Sequence, residues 1–216
     1  MKIDFYFDPS CPWCWITSRW LLDVAKDRHL TISWKPFSLA LKNDELNKGG
    51  QDATPHGEGH RAAHRVLRVI EAAVETGGER GKLYSDIGKM KHVDGYDYTD
   101  MELSLMLSLS KLPESLISAA DNTSYDDTLK QFLNEAIEIV GEDVGVPIII
   151  FEREDHTKVG YFGPVLMKQP DHEEALKLWD GLSTLAVASE FYELKRSRPA
   201  NQSPDTGTHP TTPLVC

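Results

Sequence analysis

Apolar and polar residues alternate from the start of the chain. Ile3, Phe5 and Phe7 fall on one side and Asp4 and Tyr6 on the other, the period-two pattern of a half-buried strand over residues 2–7. Asp8, Pro9 and Ser10 break it. From Cys11 to about Asp27 the period lengthens. Ile16, Trp20 and Val24 recur at every fourth position, with Trp13 and Leu21 beside them, which predicts an amphipathic helix. Alternation returns over residues 30–36, with Leu30, Ile32 and Trp34 on one side. Strand, helix and strand in so short a stretch predict a βαβ unit with parallel strands and a right-handed crossover.

Residues 44–60 are rich in Gly, Asn, Asp, Gln and His and read as a mobile loop. A helical stretch follows. The first helix covers 60–76, with Val66, Val69, Ile70 and Ala73 on one stripe, and a second runs through Leu83, Ile87 and Met90. A third starts at Thr99 with Glu102 three residues on, the signature of a capping box. Pro113 and Glu114 suit the first turn of a fourth. A fifth spans about Ser124 to Val140, with Leu129, Phe132, Leu133, Ile137 and Val140 inward. Strand patterns resume at 147–152 and 158–162, separated by a polar turn, which predicts a hairpin. Asp171 to Phe191 reads as a final amphipathic helix, with Asp171, Glu173 and Glu174 in its first turn where the dipole favours them. The expected organisation is an α/β domain of residues 1–44 and 141–195, an all-helical insertion over 45–140, and a Pro, Ser and Thr tail over 196–216 with little to bury.

Charge and composition narrow the function. Acidic residues number 34 against 23 basic, a net charge of −11, which excludes sequence-independent binding to nucleic acid or to an anionic membrane. Hydrophobic residues make up 40% of the chain, enough for a core and too many for a disordered chain. No apolar run approaches the roughly 18 residues of a membrane-spanning helix. The chain opens on a strand, without the basic and apolar regions of a signal peptide, so the expected location is cytoplasmic. Stable disulfides are rare there, and close-set cysteines read as catalytic or metal-binding.

Cys11-Pro12-Trp13-Cys14 sits where the first strand passes into the first helix. The spacing puts both sulfurs on one side, within reach of a disulfide. Cys11 lies at the helix N-terminus, where unpaired N–H groups and the dipole stabilise a thiolate. Cys14, one turn in, suits a resolving thiol. A Cys-x-x-Cys pair in a βαβ setting reads as a thioredoxin-like redox motif. The competing reading is half of a zinc site. That needs four ligands, and Cys216 is the only other cysteine. His56, His60 and His64 are spaced by four, but Gly57 and Gly59 weaken a helix there. They read as a solvated polar face, and no metal is assigned. Gly77-Gly78-Glu79-Arg80-Gly81 follows a helix and lacks the dinucleotide fingerprint.

Val146-Pro147 precedes the PIIIF strand. A proline there is either an edge device or, paired with an upstream Cys-x-x-Cys, a cis-proline facing the cysteines. With the motif, the helical insertion and this Val-Pro in place, the chain resembles the DsbA-like branch of the thioredoxin fold. More closely, FDPSCPWCWITSRW, SLALKN, VGEDVGVP, YFGPVL, KLWD and FYELKR resemble the actinobacterial mycothiol-dependent nitroreductases of that branch, over about residues 4–197. Val146 stands where that family commonly has Thr, the FEREDHTK hairpin is longer, and His56 replaces an aromatic. The resemblance implies a thioredoxin-like α/β fold with a large all-helical insertion. It further implies a cytoplasmic enzyme, often a homodimer, that is reduced by mycothiol and reduces disulfides or nitro-aromatic compounds without a bound cofactor.

The expected site follows. Cys11 is the nucleophile, Cys14 the resolving thiol and Pro147 the substrate-facing proline, with Val146 offering its backbone. Pro12 and Trp13 lie between the cysteines, and Trp13 either walls the pocket or packs against the insertion. Asn43 either hydrogen-bonds substrate or caps a turn. His92 is either a surface residue or a proton donor. Two other classes stay open: a glutathione-type isomerase or kappa-class transferase on the same scaffold, which needs no Cys14, and a protein disulfide oxidase or client-holding module.

Overall fold

In the computed structural model four strands form one mixed sheet, β1 (Lys2–Phe7), β2 (Thr31–Pro36), β3 (Ile148–Glu152) and β4 (Lys158–Phe162), in the order β2-β1-β3-β4. The structure describes residues 1–46, 55–153, 155–197 and 202–207. β1 pairs with β2 in parallel, Phe5 opposite Trp34, and with β3 antiparallel, Phe5 opposite Ile149. β4 completes the hairpin, Tyr161 opposite Ile149. As an inner strand with both faces covered, β1 buries more than its alternation implies. Tyr6 and Asp4 are buried along with Ile3, Phe5 and Phe7. The half-buried expectation fails because alternation reports side-chain type, whereas coverage of the second face comes from distant elements.

Between β1 and β2 runs α1 (Pro12–Arg28), started by Pro12 at its first position and ended by His29 in the left-handed conformation. A short α2 (Leu39–Lys42) follows β2. The helical stretch comprises α3 (Pro55–Glu75), α4 (Arg80–His92), α5 (Asp100–Leu109), a 3-10 helix (Glu114–Asp121) and α6 (Asp126–Val140). α3 already begins at Pro55, inside the stretch read as loop. The capping box of Thr99 and Glu102 is present. α7 (His172–Ala186) closes the fold, capped by Asp171. None of these helices is long and apolar enough to cross a membrane.

Two apolar clusters result. One gathers the sheet, α1 and α7, including Phe5, Trp20, Ile149 and Trp179; the other lies wholly within residues 63–120, around Val66, Ile70, Leu103 and Met106. α6 is grouped by periodicity with the insertion, yet its Leu129, Leu133 and Ala136 join the sheet's cluster. The segment 202–207 also differs from a tail with nothing to bury. Thr206 is buried, its Oγ1 donates to the His92 carbonyl at 2.6 Å, and its own carbonyl accepts from Trp15 Nε1 at 3.3 Å. Cys216 lies outside the described residues.

Candidate active site

β1 ends at Phe7, and a tightly bonded loop delivers Cys11 to the start of α1. Asp8, fully buried, organises it: one carboxylate oxygen accepts from Ser10 N (2.8 Å) and Ser10 Oγ (2.5 Å), the other from Leu39 N (2.8 Å). Burial pushes the Asp8 carboxyl up, and those three bonds pull it back. The next carbonyl, Pro9 O, accepts from His92 Nε2 at 2.8 Å and from Tyr98 Oη at 2.5 Å. A carbonyl only accepts, so the His92 proton sits on Nε2. Its Nδ1 is buried with no partner among the described residues. Burial lowers the His92 pKa to about 4; Lys91 and Arg19 act in the same direction, against the Pro9 bond.

Cys11 is the N-cap of α1, and both cysteines are free thiols. Its sulfur accepts from Cys14 N at 3.4 Å and lies 3.5 Å from the Val146 carbonyl, to which the thiol donates. The Val146–Pro147 peptide is cis, and so is Gly163–Pro164. Pro147 O accepts from Gly163 N at 2.7 Å, and Pro164 O accepts from Thr17 Oγ1 at 2.8 Å. The two proline loops are thereby tied to each other and to α1. Cys11 is 6% exposed and Cys14 not at all. The Cys14 thiol is pushed well up, first by burial and then by the neighbouring Cys11 sulfur, while the Asp8 backbone N–H pulls it down.

Behind Cys14, α4 presses onto Trp15. Gly88 lies so close that a Cβ there would sit 2.7 Å from the Trp15 ring. His92 stacks on that ring at 5.9 Å, and Arg19 covers it at 4.1 Å. A cleft of about 180 Å³ lies beyond Trp15, bounded by Arg19, Lys168 and Thr206; neither cysteine lines it.

Residues 10–196 match the Rv2466c-like family, described as mycothiol-dependent nitroreductase Rv2466c. The chain belongs to this family. It is 27% identical over 199 residues to the uncharacterized protein Rv2286c of Mycobacterium tuberculosis, covering 91% of this chain and 82% of that one. Its fold is similar to the cytosolic disulfide reductase DsbM from Pseudomonas aeruginosa, at 14% identity and a TM-score of 0.57, covering 86% of this chain and 100% of that chain. It is also similar to the probable DsbA oxidoreductase SCO1869 from Streptomyces coelicolor, at 16% identity and a TM-score of 0.56, covering 91% and 94%. These likenesses establish a DsbA-like thioredoxin fold with a helical insertion.

In this Rv2466c-like chain the structure gathers Cys11, Pro12, Cys14, Val146 and Pro147 around one point, all buried, with Trp13 half-buried and packed against the sheet's cluster. Asn43 is an exposed C-cap of α2 whose amide reaches Glu45 at 3.5 Å. His92 is neither a surface residue nor a proton donor near neutral pH. It is buried and neutral, and its N–H is committed to the cysteine loop. The histidine series is not one solvated face. His56 is exposed and His60 Nδ1 pairs with Glu45 at 2.8 Å. His64, 1% exposed, joins Ser38 Oγ to Asp126, 2.9 Å on each side. Burial holds His64 neutral, so Ser38 donates to Nδ1 and Nε2–H donates to Asp126. The order resembles a hydrolase relay, but Ser38 is fully buried and caps α2, and Arg68 grips Asp126 with two bonds. It is a pin between the β2–α2 loop and α3 and α6.

Proposed function

We propose that this chain is a cytoplasmic thiol-disulfide oxidoreductase in which Cys11 attacks and Cys14 resolves, with mycothiol as reductant and disulfides or nitro-aromatic compounds as oxidants. The observation that carries the reading is the placement of two free thiols on the first turn of α1, the outer one beside the Val146 carbonyl. The cytosolic setting and disulfide reduction named for the Pseudomonas aeruginosa neighbour support the compartment and the chemistry. The family description supports the choice of thiol and of a nitro substrate.

The cycle balances as follows. The Cys11 thiolate attacks one sulfur of a substrate disulfide and expels the first thiolate, which takes up a proton. Cys14, deprotonated, then attacks the Cys11 sulfur of the mixed disulfide. The Cys11–Cys14 bond forms, and the second substrate thiol leaves. Two mycothiols return the pair to dithiol and become mycothiol disulfide. With a nitro group, two thiols supply two electrons and two protons, and nitroso compound and water form. The backbone of Val146 offers its N–H and C=O to the incoming thiol beside Cys11.

Protein carrying Cys14→Ser and Cys216→Ser, so that Cys11 is its one thiol, treated with mycothiol disulfide and weighed intact tests the reading. Retention of one mycothiol on Cys11 supports it. A folded protein that retains none rejects mycothiol as the partner, and failure to retain any small thiol rejects the dithiol mechanism.

A further inference from the structure

The cleft beyond Trp15 carries positive charge without a matching anion. Arg28, Arg65, Arg68 and Arg80 each grip a carboxylate at 2.7 to 2.9 Å. Arg19, half-buried on α1, does not. Its Nε donates to Ser18 Oγ at 3.1 Å and its Nη2 to Ser85 Oγ at 2.9 Å, and the guanidinium covers the Trp15 ring at 4.1 Å. All three partners are neutral. Both hydroxyls spend their own protons on backbone carbonyls, Ser18 on Trp15 O at 2.6 Å and Ser85 on Gly81 O at 2.8 Å. Their lone pairs are thereby turned to Arg19. One edge of the guanidinium is fixed, and Nη1 is left without a partner among the described residues.

The rest of the cleft is built to match. Residues 168–169 and 205–207 line it with α1. Lys168 is exposed and has no ion pair among the described residues. The 205–207 wall is held from several sides. Asp205 N donates to Met167 O at 2.7 Å, Trp15 Nε1 donates to Thr206 O at 3.3 Å, and Thr206 Oγ1 donates to His92 O at 2.6 Å. The Asp205 carboxylate accepts from Gly207 N at 3.0 Å. Arg19 and Lys168 against Asp205 leave the lining with one net positive charge, on a chain of net charge −11. A guanidinium drawn out of water onto neutral groups is unusual, since such cations are ordinarily paired. Burial pushes the Arg19 guanidinium down from its ordinary value, and no carboxylate is among the groups that pull it back.

We propose that this cleft binds the carboxylate of a small organic monoanion, with Arg19 as the anchor through Nη1 and Lys168 as the second cation. A single negative charge balances the lining, whereas Asp205 opposes a dianion. The body of the ligand lies along Trp15 and Ile16, the apolar part of the lining. Neither cysteine lines the cleft, so the ligand does not react with the thiols. It bridges α1 to segment 202–207 and stabilises the folded chain by mass action.

Fluorine NMR of 4-fluorobenzoate with the full chain at constant ionic strength tests the site. The probe signal should broaden saturably, and acetate should displace it. Arg19→Gln should weaken binding about tenfold, the size expected for a hydrogen bond to a charged group. Lys168→Gln should weaken it about threefold, as for an exposed ion pair. Cys11→Ser should bind as wild type does. If Arg19→Gln does not fold, Lys168→Glu, at an exposed position, should weaken binding more than Lys168→Gln. Broadening that is absent or does not saturate overturns the site. So does an affinity unchanged in folded Arg19→Gln or, failing that variant, in Lys168→Glu. Loss of binding in Cys11→Ser places the probe at the thiols and overturns it too. Displacement by inorganic phosphate at lower concentration than by acetate overturns the assignment of a monoanion.

Discussion

The first turn of α1 faces two regions built from different parts of the chain. On the outer side, Cys11 meets the sheet half: Val146 O lies 3.5 Å away, and the two proline loops are laced to α1 through Gly163 N and Thr17. On the inner side, Cys14 meets the aromatic wall that α4 presses onto Trp15 and Phe7. The outer region offers backbone edges and partial access. The inner region offers burial and isolated polar groups. One helical turn thus separates a thiol placed to meet substrate from a thiol whose proton is hard to remove. Among the described residues the insertion is tied to the loop of the outer thiol through His92 and Tyr98 on the Pro9 carbonyl.

The largest effect should separate the two thiols themselves. With Cys216 replaced by Ser in every protein, Cys11→Ser should bring disulfide reduction to background and form no mixed disulfide. Cys14→Ser should still form one, stalled, as intact mass will show. Next comes the pin that holds the insertion against the sheet half. Asp126→Ala leaves the Arg68 guanidinium largely buried without its carboxylate and should cost about 3 kcal/mol in chemical denaturation. If α3 and α6 are held by apolar packing alone, the loss will be far smaller. Tyr98→Phe removes one of two donors to Pro9 O and should cost about 1 kcal/mol. The attack of Cys11 should slow more than the resolution by Cys14, read as the first and second equivalents of coloured thiolate that a Cys216→Ser protein releases from an aromatic disulfide.

The pH dependence sharpens the comparison further. His92 has a pKa of about 4 in the folded protein against an ordinary 6.5. The unfolded chain therefore binds more protons between those values. Stability from keeping His92 neutral is full above 6.5 and is lost as the pH falls through this window toward 4. His64 is lowered too and adds in the same direction; Asp8, raised by burial, opposes above its ordinary value. His92→Gln should flatten the stability profile between pH 6.5 and 4 relative to wild type. An unchanged slope would show that His92 is not the group responsible. The smallest effect belongs to the C-terminal segment. Thr206→Val deletes the bond to His92 O and should cost under about 1 kcal/mol, read from the same denaturation curves.

These residues also show what a sequence reveals and what it hides. The outer region was legible because its signals are local. Period-two and period-four patterns locate β1, α1 and β2; Pro12 and the Cys-x-x-Cys spacing mark the helix start; Thr99 and Glu102 announce α5. The inner region is made of long-range pairs. His92 and Tyr98 meet Pro9 across more than eighty residues, and His64 meets Asp126 across 62. No periodicity carries such information. His64 within a spaced histidine series reads as solvated, because pattern reports residue type and not partner. Asp8 reads as a strand breaker; two of its bonds are local, to Ser10, and the third appears only once β2 returns beside β1 to bring Leu39 within reach. The docking of residues 202–207 is hidden in the same way, since the side chains of Thr206 and Trp15 meet backbone carbonyls, which every sequence carries.

Limited alkylation of the reduced wild-type protein at neutral pH, with the label located by peptide mass, tests the difference between the two thiols most directly. The account predicts that Cys11 is modified first and that Cys14 stays unmodified until the protein is denatured. Equal labelling of both cysteines in the folded protein, or labelling of Cys14 ahead of Cys11, would contradict it.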